Sequence, residues 1–343
     1  MISPLRLRLD AAALTRNWQT LARMSGRAAC GAAVKANGYG LGASDVVARL
    51  AVAGCRDFFV ATWAEAAVVA PLGVVVSVLH GVRAEDLGVA RALPGARPVL
   101  NSTEQVARWR AAGGGACDVM VDTGMNRLGV SAEEIRGGLL DGLAVDTLMS
   151  HLACADEDVA MNAAQRDALV GIAGRVTAQR LSLANSAGIA LGSDYAFDLT
   201  RPGLALYGGV PRGEFAGQIA QVATPEAQIL QCRRLRGGEP IGYNATFTAP
   251  RDLPVAILNI GYADGYWRGF SGVGTARADG TSLPVIGRVS MDLVAIDISA
   301  APALGEGDWV ALDFDLPEAA ARSGVSQYEL LTGLGARFKR VWC

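Results

Sequence analysis

The stretch Ala29-Cys30-Gly31-Ala32-Ala33-Val34-Lys35-Ala36-Asn37-Gly38-Tyr39-Gly40 is an apolar run that ends in one lysine and breaks into a glycine-rich loop. A helical pattern over residues 43–53 follows, so the segment reads as one strand–loop–helix unit. The same alternation continues to about residue 207. The expected strands are residues 29–35, 57–61, 74–79, 97–100, 118–122, 145–150, 181–184 and 197–200, with helical stretches such as 104–112 and 162–179 between them. Eight strands alternating with helices predict an α/β fold, an N-terminal (β/α)8 barrel of the TIM type. A doubly wound open sheet is the alternative.

The pattern changes near Phe215. Beyond Glu226 the runs are strand-like and separated by tight turns, with strands expected over 227–232, 254–260, 283–289 and 294–298. This predicts a mostly β C-terminal domain over 219–343 after a barrel over 11–218. The alternating start, residues 1–10, is expected to join the β domain as a strand and lacks the charged-then-apolar order of a signal peptide.

The 343 residues suffice for two cores, and a formal net charge of −2 argues against a nucleic-acid partner. No apolar run is long enough to span a bilayer, which predicts no membrane partner. The six cysteines have no metal-ligand spacing, so no metal is expected and the thiols are read as reduced, in a cytoplasmic protein.

In barrels of this kind catalytic residues sit at the carboxyl ends of the strands. Lys35 ends the first strand, Asp122-Thr123-Gly124-Met125-Asn126-Arg127 the fifth. His151 follows the sixth, Asn185-Ser186 the seventh and Arg201-Pro202-Gly203-Leu204 the eighth. Taken singly, Arg127 pairs with a surface carboxylate and His151 is a core histidine. Five such groups at one mouth point instead to a site. A partly buried lysine is a nucleophile toward carbonyl groups, and the loops after strands 7 and 8 are where barrels bind phosphate. Together they predict pyridoxal 5′-phosphate as cofactor.

At this point the residues resemble the fold-type III, pyridoxal-phosphate-dependent alanine racemases. The resemblance rests on Ala33–Gly40, Val121–Gly129, Ala184-Asn185-Ser186-Ala187, Arg201-Pro202-Gly203, Gly242-Tyr243, Ile260-Gly261-Tyr262-Ala263-Asp264-Gly265 and Ser290-Met291-Asp292. It implies an isomerase that interconverts L- and D-alanine, supplies D-alanine for peptidoglycan, and works as a homodimer with shared active sites. Lys35 matches the family's cofactor-bound lysine and Tyr243 its second catalytic base. Arg201 matches the arginine facing the pyridine nitrogen, His151 the histidine beside the tyrosine. Tyr39, Asn185, Ser186, Gly203 and Leu204 fall at cofactor contacts. Arg127 and Met291 match the residues that meet the substrate carboxylate, and Tyr262 an entrance tyrosine.

Racemisation needs a proton to leave one face and return on the other, hence two acid–base groups. The resemblance gives Lys35 the D face and Tyr243 the L face. A phenol with a pKa of about 10 is a weak base at neutral pH, and a positive environment from Arg201 and His151 is expected to stabilise its anion. Because a guanidinium keeps its proton, Arg201 leaves the pyridine nitrogen a weaker electron sink, favouring reprotonation over transamination.

Four positions depart from the family pattern: Met120 where many relatives carry a modified lysine, Leu41 and Ser182 for histidines, and Ala336 for a tyrosine. Ser182 is expected to weaken the support of Arg201. The alternatives are a racemase of serine, lysine or another amino acid, a decarboxylase on the same scaffold, and a non-enzymatic cofactor-binding protein.

Overall fold

The computed structural model describes residues 3–343; Met1 and Ile2 of the expected N-terminal strand lie outside them. The chain forms two compact units, one of residues 14–220 and one that combines the N-terminal segment through Ala13 with residues 221–343.

The 14–220 unit is built on a parallel sheet of Ala32–Ala33, Asp57–Val60, Val75–Val78, Ala96–Leu100, Cys117–Met120, Val145–Met149 and Ala178–Ser182, paired in chain order. Leu199–Thr200 lies parallel to Ala29–Cys30. Backbone hydrogen bonds join it to both edges of the sheet: Arg201 N–H donates to Ala184 O, and Ala33 N–H to Pro202 O, each at 2.8 Å. Eight strand positions thus close into a ring, the first interrupted at Gly31. A side chain there would press on Asp57 O, at 2.8 Å. Short strands of valine, leucine and phenylalanine suit this ring because both faces are covered.

The seventh strand corrects the sequence reading. Residues 181–184 were the expected strand and 162–179 the expected helix, but the helix is Ala160–Ala173 and the strand Ala178–Ser182. The reason is Arg180, which bonds Asp57 and Asp146 at 2.8 Å each. Arg97 bonds Asp146 at 2.9 Å and Asp118 at 3.0 Å, and Asp118 also accepts from Ser77 and Thr147. These groups sit near the amino ends of their strands and fill that end with ion pairs. Asp118 is fully enclosed, and burial raises its pKa against the pull of Arg97.

In the other unit, strand pairing runs in a closed circuit: Leu253–Leu258, Val294–Asp297, Thr281–Ile286, Thr275–Ala278, Trp309–Leu312 and Ala223–Leu235, which pairs again with Leu253–Leu258. Ala223–Leu235 is long enough to serve three partners because its register shifts between Ile229 and Gln231. Leu5–Leu9 adds to it antiparallel and in turn receives Lys339–Trp342 in parallel. Leu235, Ala249, Leu253, Val255 and Ile286 form one core cluster. The strands over 275–278, 309–312 and 339–342 and the helices Leu316–Ser323 and Gln327–Thr332 have no counterpart in the sequence reading. All six cysteines are free thiols. Burial pushes Cys30 up to about 11 and Cys117 up to about 12, so both are poor nucleophiles.

Candidate active site

Lys35 leaves the first strand at a turn the sequence does not announce. Ala36, Asn37 and Gly38 have φ of 51°, 55° and 63°, and Tyr39 and Gly40 follow at 52° and 85°. This is one turn of left-handed helix. For each of the three non-glycine residues it costs about 1–2 kcal/mol. Gly38 N–H donates to Val34 O at 2.8 Å and Gly40 N–H to Ala36 O at 2.9 Å. The Asn37 side chain accepts from Ala43 N–H at 3.0 Å, tying the turn to the next helix. The effect is to reverse the chain abruptly just after Lys35, which is left at the strand mouth.

Tyr39 is buried and stacks on Tyr207 with ring centres 4.6 Å apart; Tyr207 in turn donates to Ala33 O at 2.8 Å. A Cβ at Gly203 would lie 2.2 Å from the Tyr39 hydroxyl, so only glycine permits that approach. Ser186 Oγ accepts from Gly203 N–H at 2.9 Å and from Ala205 N–H at 3.2 Å. Asn185 caps its short helix by accepting from Gly188 N–H at 2.9 Å. Tyr39, Asn185, Ser186, Gly203 and Leu204 thus form one contiguous cluster after strands 1, 7 and 8. Hydroxyls and backbone amides are the donors a phosphate requires, and here the Gly203 and Ala205 amides are held on Ser186 Oγ.

Arg201 is buried and held by two groups: it donates to Ser182 Oγ, and its Nη2 donates to Ser150 O at 2.6 Å. Ser182 itself donates to Leu199 O. Ser182 thus contributes one direct contact to Arg201, a hydroxyl on the guanidinium. Burial pushes the Arg201 pKa down to about 10, with Asp118 opposing, so the guanidinium remains charged at neutral pH.

Burial is also the main cause lowering the Lys35 pKa, reinforced by Arg127 and Arg201 and opposed by Glu65. An amine with this field around it releases its proton more readily than a surface lysine. His151 corrects the sequence reading. Burial, with Arg201, Arg127 and Lys35 facing it, pushes its pKa down to about 3, so it is neutral and supplies no positive charge. Arg201 is the fixed cation.

An unfolded histidine protonates below about 6.5, whereas His151 in the fold does so only near 3. The unfolded state therefore takes up this proton first, and stability is lost as pH falls from about 6.5 toward 3. Urea unfolding across that range is expected to show a shallower acid loss for His151→Gln than for the parent. Equal slopes would refute the assignment.

Arg127 is exposed and carries no ion pair among the described residues. Asp122 shapes its loop, accepting from Gly124 N–H at 2.9 Å and Asn126 N–H at 3.1 Å. Met120 is buried within its strand, and Leu41 is buried in the turn beyond Tyr39. Two residues the sequence reading missed tie the mouth together. Gln165 donates to His151 O at 2.9 Å and Thr123 Oγ1 at 3.3 Å and accepts from Ala153 N–H, joining two loops. Glu65 accepts from Ala36 N–H and Ala61 N–H at 2.7 Å each. Its Thr62-Trp63-Ala64-Glu65 capping box was legible as a helix start, its reach to Ala36 was not.

The remaining predicted residues lie in the other unit. Tyr243 tips the hairpin of Pro240–Ile241 and Phe247–Thr248, with Asn244 and Ala245 at φ 61° and 50° after it, and is 69% exposed. Met291 is 54% exposed, and its loop is bound to that of Tyr262. Tyr262 N–H donates to Ser290 O and Ala263 N–H to Met291 O, each at 3.0 Å. A Cβ at Gly261 would lie 2.3 Å from Met291 O, so the loops touch only because glycine is there. Arg337 bonds Asp264 at 2.6 Å and Asp292 at 2.7 Å, clamping both loops. Ala336 beside it is exposed.

The family models for the alanine racemase N-terminal domain and C-terminal domain match residues 9–211 and 222–342. The chain belongs to the alanine racemase family. An alanine racemase of Acidiphilium cryptum is 42% identical over 351 residues, covering 98% of each chain. The crystal structure of alanine racemase from Bartonella henselae with covalently bound pyridoxal phosphate superposes with a TM-score of 0.90 at 34% identity, covering both chains fully. Biosynthetic alanine racemase from Pseudomonas aeruginosa gives a TM-score of 0.89 at 31% identity, again over both whole chains. The family's two-part fold, a barrel of parallel strands and an antiparallel β domain, is the one described above.

Proposed function

We propose that this member of the family racemises alanine with pyridoxal 5′-phosphate, as a homodimer in the cytoplasm, and that the D-alanine formed serves peptidoglycan. The observation that carries the reading is the half-buried Lys35 beside a cluster of phosphate-type donors and a fixed cation. The fit to the cofactor rests on that cluster: Tyr39 against Gly203, and Ser186 on the Gly203 and Ala205 amides. Lys35, Tyr39, Asn185, Ser186, Gly203 and Leu204 would hold it, with Arg201 and His151 alongside. When bound, it supplies the carbonyl that takes up the amino group and the ring that accepts the electrons the α-proton leaves behind.

The protein's own groups do the rest. Lys35 Nζ, its proton loosened by burial and by Arg127 and Arg201, takes or returns the α-proton on the D face. Tyr243 Oη does so on the L face. Arg127 and the Met291 N–H orient the substrate carboxylate. Tyr262 narrows the entrance, which suits a methyl side chain. The barrel belongs to residues 11–218 and the β domain to 219–343 with the N-terminal strand.

Tyr243 and Met291 are exposed on the protomer, which leaves both open to a partner subunit. Among the described residues no helix is long and apolar enough to cross a membrane, and no group of His, Cys, Asp and Glu could hold a metal ion. Mixing Lys35→Ala with Tyr243→Phe chains tests the shared site, since each mixed dimer regains one intact pair. Chiral chromatography is expected to show the mixture converting L-alanine far faster than either variant alone. No recovery would exclude sharing.

A further inference from the structure

We propose that Glu65 is the positioning residue of Lys35, fixing the backbone that carries the lysine and the field at its amine. The carboxylate bridges two strand ends. One oxygen accepts from Ala36 N–H, the first amide after Lys35 and the start of the left-handed turn; the other accepts from Ala61 and Thr62 N–H at the end of the Asp57–Val60 strand. The turn is strained, so it persists only where its surroundings hold it. Glu65 supplies the acceptor for the amide at which the backbone changes hand.

Its charge has a second role. Lys35 is faced by Arg127 from the fifth strand's loop, Arg201 from the eighth and the neutral His151 from the sixth, all disfavouring its ammonium form or indifferent to it. Glu65 is the negative neighbour that holds the proton against them. A racemase lysine has to return a proton as well as take one, so its affinity must be balanced from both sides. This inference rests on Lys35 being the D-face proton carrier.

Two variants separate the roles. Glu65→Gln removes the charge and keeps one acceptor; Glu65→Asp keeps the charge but shortens the reach to Ala36. Thr62→Ala is the control, because Thr62 Oγ1 caps the same helix and does not contact Ala36. The sequence contains only two lysines, Lys35 and Lys339, so peptide-resolved amine acylation against pH reads Lys35 with Lys339 as internal reference.

In the cofactor-stripped chain the Lys35 midpoint is expected to move to lower pH in Glu65→Gln and to stay at its parental value in Glu65→Asp and Thr62→Ala. In the holoenzyme, the kcat limb governed by Lys35 moves to lower pH in both directions for Glu65→Gln. For Glu65→Asp kcat falls about tenfold or more with KM little changed. Superimposed Lys35 midpoints for the parent and Glu65→Gln would overturn the proposal, as would an equal shift in Thr62→Ala. A parent enzyme that fails to racemise alanine would instead sink the functional reading, while the acylation profile still judges Glu65.

Discussion

Lys35→Ala is expected to lower alanine racemisation by about 10⁴-fold or more, because it removes the anchoring amine and one of the two proton carriers together. The same change is expected not to destabilise the fold. Lys35 is half-buried, and burial, Arg127 and Arg201 all oppose its charge, with Glu65 acting against them. Alanine relieves that conflict without leaving a large cavity. Thermal unfolding of the cofactor-free protein is therefore expected to occur at the parental temperature or above it, the usual exchange of function for stability at a strained site. Chiral assay and calorimetry on the same preparation decide it. Retained racemisation would remove Lys35 from the mechanism, and a marked drop in stability would show that the structure depends on its charge.

Tyr243→Phe is expected to cost about 10²–10⁴-fold in racemisation in both directions while sparing one half-reaction. The hydroxyl sits on a hairpin tip and the side chain is 69% exposed, so its loss removes no core packing from the protomer. With Lys35 intact, the D face keeps its proton carrier. In heavy water D-alanine should then acquire deuterium at the α-carbon without inverting, whereas L-alanine should do neither. Exchange confined to L-alanine would assign the two faces the other way round. Exchange of both would mean that another group replaces the phenol.

Much of this site was legible because apolar runs end abruptly in polar residues. Lys35, the Asp122–Arg127 loop, His151, Asn185-Ser186 and Arg201 each stand where a short hydrophobic strand stops, and the structure places them at strand ends. What the sequence concealed has physical causes. Arg180 and Gln179 make the seventh strand look like the tail of a helix, since the amino end of the ring is filled with ion pairs instead of aliphatic side chains. The left-handed turn is hidden because Ala36, Asn37 and Tyr39 have no intrinsic preference for positive φ strong enough to predict it. The neutrality of His151 depends first on its burial and then on three cations brought near it from distant segments. Arg201's anchor on Ser182 is a contact between neighbouring strands that spacing alone does not reveal.

The pairing of Leu5–Leu9 with both Ala223–Leu235 and Lys339–Trp342 sets an order of events during synthesis. Residues 5–9 leave the ribosome long before residues 339–342, their parallel neighbour, are made. At about 5–20 residues per second that neighbour follows some tens of seconds later. The intervening 14–220 unit has all its own strands in hand well before then and can fold while the chain is still attached. The nascent leucine-rich strand waits with both edges open until Ala223–Leu235 emerges and with one edge open until Lys339–Trp342 does, a window in which it is exposed to chaperones and to the same strand of another nascent chain.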